Sequence, residues 1–283
     1  MSKLKVSELF YSIQGEGRYS GVSSVFLRTF GCNFTCGGFG MPKGEVSNER
    51  DVVASNVDGY RQYTSLPLVT TGCDSYASWD VRFKHLSPVL TTTSIASAML
   101  ELLPHKEWRD EHLIITGGEP LLGWQRAYPD LLQEDGMMFL KEMTFETNGT
   151  QQLRSEFAEF LDMWASNRGG RDKLTFSVSP KLSISGEKWD EAIQPNIIKE
   201  YEEIGYVYLK FVIASEEDCA EALQATSEYR AAGFKGPVYL MGVGGVEDVF
   251  LKTNKQVAEL AMKYGLRYSD RMQVGLFKNA WNT

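Results

Sequence analysis

No apolar run in this chain approaches the ~20 residues that span a bilayer. The opening Met-Ser-Lys-Leu-Lys-Val leads into no hydrophobic stretch of the signal-peptide kind. The expectation is a cytoplasmic protein without a membrane partner. Basic runs are also missing: 29 Lys and Arg stand against 37 Asp and Glu, for a net charge of −8. That balance argues against direct binding of a nucleic-acid backbone. Cysteine and histidine are scarce, at four and three residues, so neither a disulfide framework nor a histidine-rich metal site is built in. Internal repeats and low-complexity tails are absent. What remains, 283 residues of which 43% are hydrophobic, suits one soluble domain over residues 1–283, within the size range of a single α/β barrel.

The few cysteines are unevenly placed. Cys32-Asn-Phe-Thr-Cys36 and Gly72-Cys73-Asp74-Ser75 hold three of the four. In a reducing compartment, clustered thiols point to metal or redox chemistry. Three thiolates on a cubane iron–sulfur cluster leave one iron open to a small chelating ligand. Zinc is the competing metal and asks for a fourth protein ligand; His85, His105 and His112 lie outside the usual ligand spacing, although His85 has a path back. A third reading is plain buried thiols. Cys219, inside an amphipathic helical pattern, reads as core. Residues 37–71, between the second and third cysteines, are dense in turn-formers and weakly periodic, and are expected to be an irregular insertion, a lid among the options.

Elsewhere the chain alternates. Strands are expected at 22–29, 112–116, Met143–Thr147, Leu174–Ser179, Tyr206–Ile213, Pro237–Met241 and Arg271–Phe277. Helices are expected at Thr93–Leu103, over part of Tyr128–Leu140, at Ser155–Trp164, after a Ser215/Asp218 cap, and at Thr253–Tyr264. This order predicts a mostly parallel sheet with crossover helices.

Polar and glycine-rich motifs fall at the C-terminal ends of the strands, the edge where α/β proteins place their sites. Gly15 and Gly17 flank Glu16 in a turn. Arg28 is a lone cation near a strand end, either a rim residue or an anion clamp. Gly117-Gly118-Glu119-Pro120 lets a ligand approach the backbone beside an acid, which suits an ammonium group. Glu146-Thr147-Asn148-Gly149 suits a ribose diol, and Ser179-Pro180-Lys181 suits a carboxylate. Each alone is ordinary turn chemistry; together they describe a site for a molecule with an amine, a carboxylate and a sugar.

These segments carry a resemblance. Phe10-Tyr-Ser-Ile-Gln-Gly-Glu-Gly17, Val25-Phe-Leu-Arg28, Gly31-Cys-Asn-Phe-Thr-Cys36, Gly72-Cys-Asp-Ser75, Ile115-Thr-Gly-Gly-Glu-Pro120, Phe145-Glu-Thr-Asn-Gly149, Val178-Ser-Pro-Lys181 and Asn279-Ala-Trp-Asn-Thr283 resemble the radical S-adenosylmethionine (SAM) enzymes of the 7-carboxy-7-deazaguanine synthase family, in the same order. The resemblance implies an incomplete (β/α) barrel. It implies a lyase that converts 6-carboxy-5,6,7,8-tetrahydropterin to 7-carboxy-7-deazaguanine and ammonia, through a 5′-deoxyadenosyl radical and ring contraction. It implies a [4Fe–4S] cluster on Cys32, Cys36 and Cys73, SAM held by Gly118, Glu119, Glu146, Ser179, Pro180, Lys181 and Met241, Gly242, Val243 and Gly244, and Mg²⁺ on Ser75. Ile13, Gln14, Gly15, Glu16, Arg28 and Thr116 would contact the pterin, with Arg28 on its 6-carboxylate and the Thr283 chain end also reaching it. An electron donor such as flavodoxin or ferredoxin and a homodimer are implied as partners.

The chain departs from the family pattern in several places. The third cysteine position holds Phe39, and its match comes about 34 residues later at Cys73. Ser75 stands for a threonine, Gly242 for a proline, and Gln273 for a histidine. Two alternatives stay open: another radical SAM enzyme such as a glycyl-radical activase, or an inactive binding descendant.

Overall fold

The computed structural model describes residues 2–283. Its strands are β1 (Lys3–Ile13), β2 (Ser23–Thr29), β3 (Val89–Thr91), β4 (His112–Gly117), β5 (Met143–Thr147), β6 (Leu174–Val178), β7 (Tyr206–Ile213), β8 (Val238–Gly242) and β9 (Arg267–Ser269). They form one nine-stranded sheet in the order β3-β1-β2-β4-β5-β6-β7-β8-β9. The first hairpin is antiparallel, and from β2 through β9 each neighbouring pair is parallel. The two ends of this order are edges, so the sheet is open.

The helices are α1 (Glu49–Ala54), α2 (Thr92–Leu102), α3 (Tyr128–Leu132), α4 (Ser155–Ser166), α5 (Trp189–Ala192), α6 (Pro195–Ile204), α7 (Glu216–Ala231), α8 (Glu247–Lys263) and α9 (Met272–Phe277). Strands covered on both faces read as continuous apolar runs, and every residue of β4 is buried. In α4 the buried residues are Phe157, Leu161, Trp164 and Ala165, the stripe that a 3.6-residue period lays on one face. The predicted cap of α7 is present: Ser215 Oγ accepts from the Asp218 amide at 3.1 Å, and Asp218 accepts from the Ser215 amide at 3.1 Å. A band of stacked and edge-on rings, Tyr128, Phe145, Phe157, Phe176 and Tyr201, fills the middle of the core.

Two local expectations change. The expected last strand, 271–277, is the helix α9. Met272, Val274 and Leu276 alternate as a strand would, but only Val274 of α9 is buried; the edge of β8 is already paired by Arg267–Ser269. The insertion contains the short helix α1 and a small core of its own. Val53, Tyr63, Leu66 and Val69 pack there with Tyr76, Phe83 and Leu86 from beyond Cys73, and Trp281 of the tail packs against them. Among the described residues, no helix is long and apolar enough to cross a membrane.

Candidate active site

One cavity opens along the C-terminal ends of the parallel strands. Its wall takes Thr116, Gly117 and Gly118 from the end of β4, Glu146–Asn148 from β5, Ser179 and Lys181 after β6, Lys210 from β7, and Met241 and Val243–Gly245 around the end of β8. The turn Ile13–Glu16, Arg28, the three clustered cysteines, Ser75 and Thr283 complete it. The strand ends meet there because a parallel sheet sends all its C-terminal loops to one edge.

The thiol corner depends on how the insertion closes. Gly72 donates to the Phe39 carbonyl at 2.7 Å, and Ser47 to the Gly37 carbonyl at 2.8 Å. Glu49 at the start of α1 accepts from the Thr70 amide at 2.6 Å and the Thr71 hydroxyl at 2.7 Å. These bonds tie the neck, and Gly72 turns with φ +78°, a conformation glycine takes at no steric cost. Cys73 thereby returns to the wall that Cys32 and Cys36 share. The Trp79 indole donates to Cys73 Sγ at 3.3 Å. The loop around Cys36 is held from below: one oxygen of Glu187 accepts from the Thr35 amide at 2.8 Å and the Cys36 amide at 2.7 Å.

Burial pushes the Cys32 thiol up to about 12, against the opposing charge of Lys181. Burial also raises Cys36 far above its ordinary range, and burial and then Asp74 raise Cys73. All three are free thiols, so metal loading must expel their protons. Among the described residues no three His, Cys, Asp or Glu side chains converge on a single ion. A zinc site also lacks its fourth ligand. His112 is buried on Thr144 at 2.7 Å, its pKa lowered to about 3 by burial and then Arg18, and Cys219 is buried in α7. Three thiols on one wall and no fourth protein ligand fit a cluster with an open iron.

Elsewhere on the lining, Gln14 donates to Glu146 Oε1 at 2.9 Å and accepts from the Glu16 amide at 3.0 Å. Glu16 pairs with Lys210 and with Arg271 at 3.1 Å, and accepts from the Gln273 side-chain Nε2 at 2.7 Å. Burial alone would raise this carboxyl, but Lys210 and Arg271 outweigh it and hold Glu16 at about 2. A Cβ on Gly15 would displace the Gln273 side-chain oxygen and press on the Gln273 backbone nitrogen at 3.0 Å. Arg28 Nε donates to buried Glu8 at 2.7 Å. Its terminal nitrogens donate to no protein acceptor among the described residues, and it lines the cavity. Glu8 also accepts from the Asn282 amide at 3.1 Å. Lys181 donates to Ser179 at 3.1 Å.

Three expected contacts lie outside the lining. Glu119 is fully buried behind the wall. It accepts from the Leu121 amide, the Thr147 hydroxyl and the Asn148 amide at 3.0, 2.8 and 2.7 Å, while burial lifts it to about 7. Pro180 is buried and absent from the lining. Gly242 faces α8, where a Cβ would meet Thr253 at 3.0 Å. Sequence reasoning passed over Glu8, Asp74, Lys210, Glu187 and Arg271. Lys210 had a signal, as the single charge in Tyr206–Ile213, and so had Glu8 beside Leu9 and Phe10. Arg271 and Glu187 had none.

No family model matches the chain. Curated relatives do. A 7-carboxy-7-deazaguanine synthase of Halobacterium salinarum is 27% identical over 300 residues, covering 99% of this chain and 93% of that one. One of Rhodopirellula baltica is 27% identical, covering 100% and 90%, and one of Pyrobaculum aerophilum 23% identical, covering 98% and 96%. The crystal structure of QueE from Escherichia coli matches with a TM-score of 0.52 and 18% identity over 94% of this chain and 93% of that one, a likeness of fold. Along its whole length, the chain is a relative of the 7-carboxy-7-deazaguanine synthases.

Proposed function

We propose that this protein is a radical SAM 7-carboxy-7-deazaguanine synthase, a carbon–nitrogen lyase of 7-deazapurine biosynthesis. It converts 6-carboxy-5,6,7,8-tetrahydropterin to 7-carboxy-7-deazaguanine and ammonia. The observation that carries this is one cavity lined by the three thiols together with Gln14, Glu16 and Arg28. When bound, a [4Fe–4S] cluster on Cys32, Cys36 and Cys73 and SAM beside it would supply the radical chemistry.

The chain supplies orientation and charge. Arg28, aimed by Glu8, offers its terminal nitrogens to the 6-carboxylate. Glu16, kept ionised by Lys210 and Arg271, accepts from the N–H groups of the aminopyrimidinone edge. Gln14 and Glu146, bonded to each other, would link the pterin subsite to the SAM ribose subsite. Ser179 and Lys181 would face the SAM carboxylate, and Gly117 and Gly118 let the β4 end pack against the backbone at Thr29 and Gly31, where a Cβ would collide. The Ser75 hydroxyl is the Mg²⁺ ligand in this reading, and the Thr283 end closes the pterin side. A cytoplasmic homodimer served by a flavodoxin or ferredoxin completes the proposal; free clustered thiols suit a reducing compartment.

The test is anaerobic reconstitution with iron and sulfide, followed by SAM, dithionite, Mg²⁺ and the carboxytetrahydropterin. The expected result is a brown protein that makes the deazaguanine and returns SAM. A colourless protein, or 5′-deoxyadenosine without a deazapurine product, overturns the reading.

A further inference from the structure

Arg271 joins three segments that lie far apart in the chain. It is buried just before α9. Nε donates to Glu16 at 3.1 Å, one terminal nitrogen donates to Asp74 at 2.7 Å, and the other donates to the Gly244 carbonyl. Glu16 has a second cation in Lys210. Asp74 forms its one ion pair among the described residues with Arg271. The bond that only Arg271 provides therefore goes to the residue directly after Cys73. Asp74 is also wedged against the turn after β8, where a Cβ on Gly245 would come within 2.8 Å of Asp74 Cβ.

Cys73 needs such a fastening. Cys32 and Cys36 share one short loop, but Cys73 is connected to them through the insertion, and the entropy cost of bringing chain ends together grows with the length between them. The neck bonds of Glu49, Ser47 and Gly72 shorten that excursion, yet they stop at residue 72. Beyond it, among the described residues, Cys73 Sγ has only the Trp79 indole and the Ser75 hydroxyl as hydrogen-bond partners. We propose that Arg271 is a positioning residue that clamps the Cys73 arm of the split thiol site onto the substrate-binding turn at Glu16, so that the third thiol is in register when the C-terminal segment is docked. The proposal deepens the reading above and rests on it for what the thiols and Glu16 bind.

The clamp is tested on the metal-free, reduced protein by trace alkylation with iodoacetamide, following each cysteine by peptide mass spectrometry. In Arg271→Met, Cys73 should be alkylated about tenfold faster, the effect of losing one charge-assisted hydrogen bond on a local opening. Cys32, Cys36 and Cys219 should stay within about twofold of the unsubstituted protein. The sign is diagnostic. Removing a nearby cation disfavours the thiolate, so electrostatics alone would slow the reaction, and acceleration reports exposure. Arg271→Lys, which keeps the charge but lacks the planar fork that reaches both carboxylates, should fall between the two and decides the matter if the Met variant does not fold. Hydrogen exchange of the 69–79 amides should rise in parallel. Unchanged Cys73 alkylation, or equal acceleration of all the cysteines, overturns the proposal. Product formation is assayed on the unsubstituted protein, so failure of the functional reading and failure of the clamp give different results.

Discussion

Glu119 spends both carboxylate oxygens inside the protein, on three donors from the ends of β4 and β5. An acid beside two glycines suggests a ligand for an ammonium group; in place, it is buried outside the lining and ties two strand ends together. Glu119→Gln tests this. The amide N–H₂ would have to face either the Asn148 amide or the Leu121 amide and Thr147 hydroxyl, donor against donor. The expected loss is about 2 kcal/mol, read as a drop in melting temperature of the metal-free protein of roughly 4–8 °C. An unchanged melting temperature together with weakened SAM binding would return Glu119 to the ligand set. Lys210 shows the opposite case. A charge inside Tyr-Val-Tyr-Leu-Lys-Phe-Val-Ile looks out of place in a buried strand, and it is placed there to meet Glu16.

At the scale of elements, the segment from Cys32 to Ser75 behaves as a loop tied, among other places, at the insertion neck and at the Cys36 turn. Glu187, just before α5, provides the second tie. It receives two amides and the Thr35 hydroxyl, which holds Cys36 in its left-handed backbone, φ 48°. Such a conformation is strained for a residue with a Cβ. Glu187→Ala should release it. Iron bound per chain after reconstitution should fall severalfold, consistent with losing about 2 kcal/mol of charge-assisted bonding. The global unfolding transition should stay within a few degrees, because the loop adds little to the main core. Glu187→Gln keeps an acceptor oxygen and should retain most of the iron. Iron loading of the Ala variant equal to that of the unsubstituted protein would rule out this role. The neck bonds explain why the insertion does not separate the cysteines. The expectation of an irregular segment comes from weak periodicity, which cannot show that Tyr63, Leu66 and Val69 share a core with Tyr76 and Phe83.

Over the whole molecule, one polar network joins the N-terminal turn, β7, the Cys73 arm and the C-terminal segment through Glu16, Lys210, Asp74 and Arg271. Its acids dictate a pH dependence. Glu16 is held at about 2, and Asp74 is lowered despite its burial, chiefly by Arg271. Both folded values lie below the unfolded ones. Their contribution to stability is therefore complete above the ordinary carboxylate range, near 4.5 for Glu16, and is lost as the pH falls toward 2. Urea unfolding of the metal-free protein should lose on the order of 2–3 kcal/mol more between pH 5 and pH 2.5 than the Glu16→Gln variant loses. Parallel curves for the two proteins would refute the network's role.

The sequence by itself determined the alternating architecture, the edge of the sheet that bears the site, and most of the lining. Period, caps and strand-end glycines are local signals, written within a few residues, and Glu16, Arg28, Ser179 and Lys181 line the cavity where those signals put them, whereas Gln14 came from the resemblance. The tertiary structure alone decided whether Cys73 reaches Cys32 and Cys36, why Arg271 and Glu187 matter, and why Glu119 and Gly242 lie outside the cavity lining. Each of those depends on contacts between residues remote in the chain: a neck closed by Glu49, a tail folded back as α9, a helix packed behind β8. No local pattern encodes such contacts, because they follow from how the sheet, the insertion and the tail pack together.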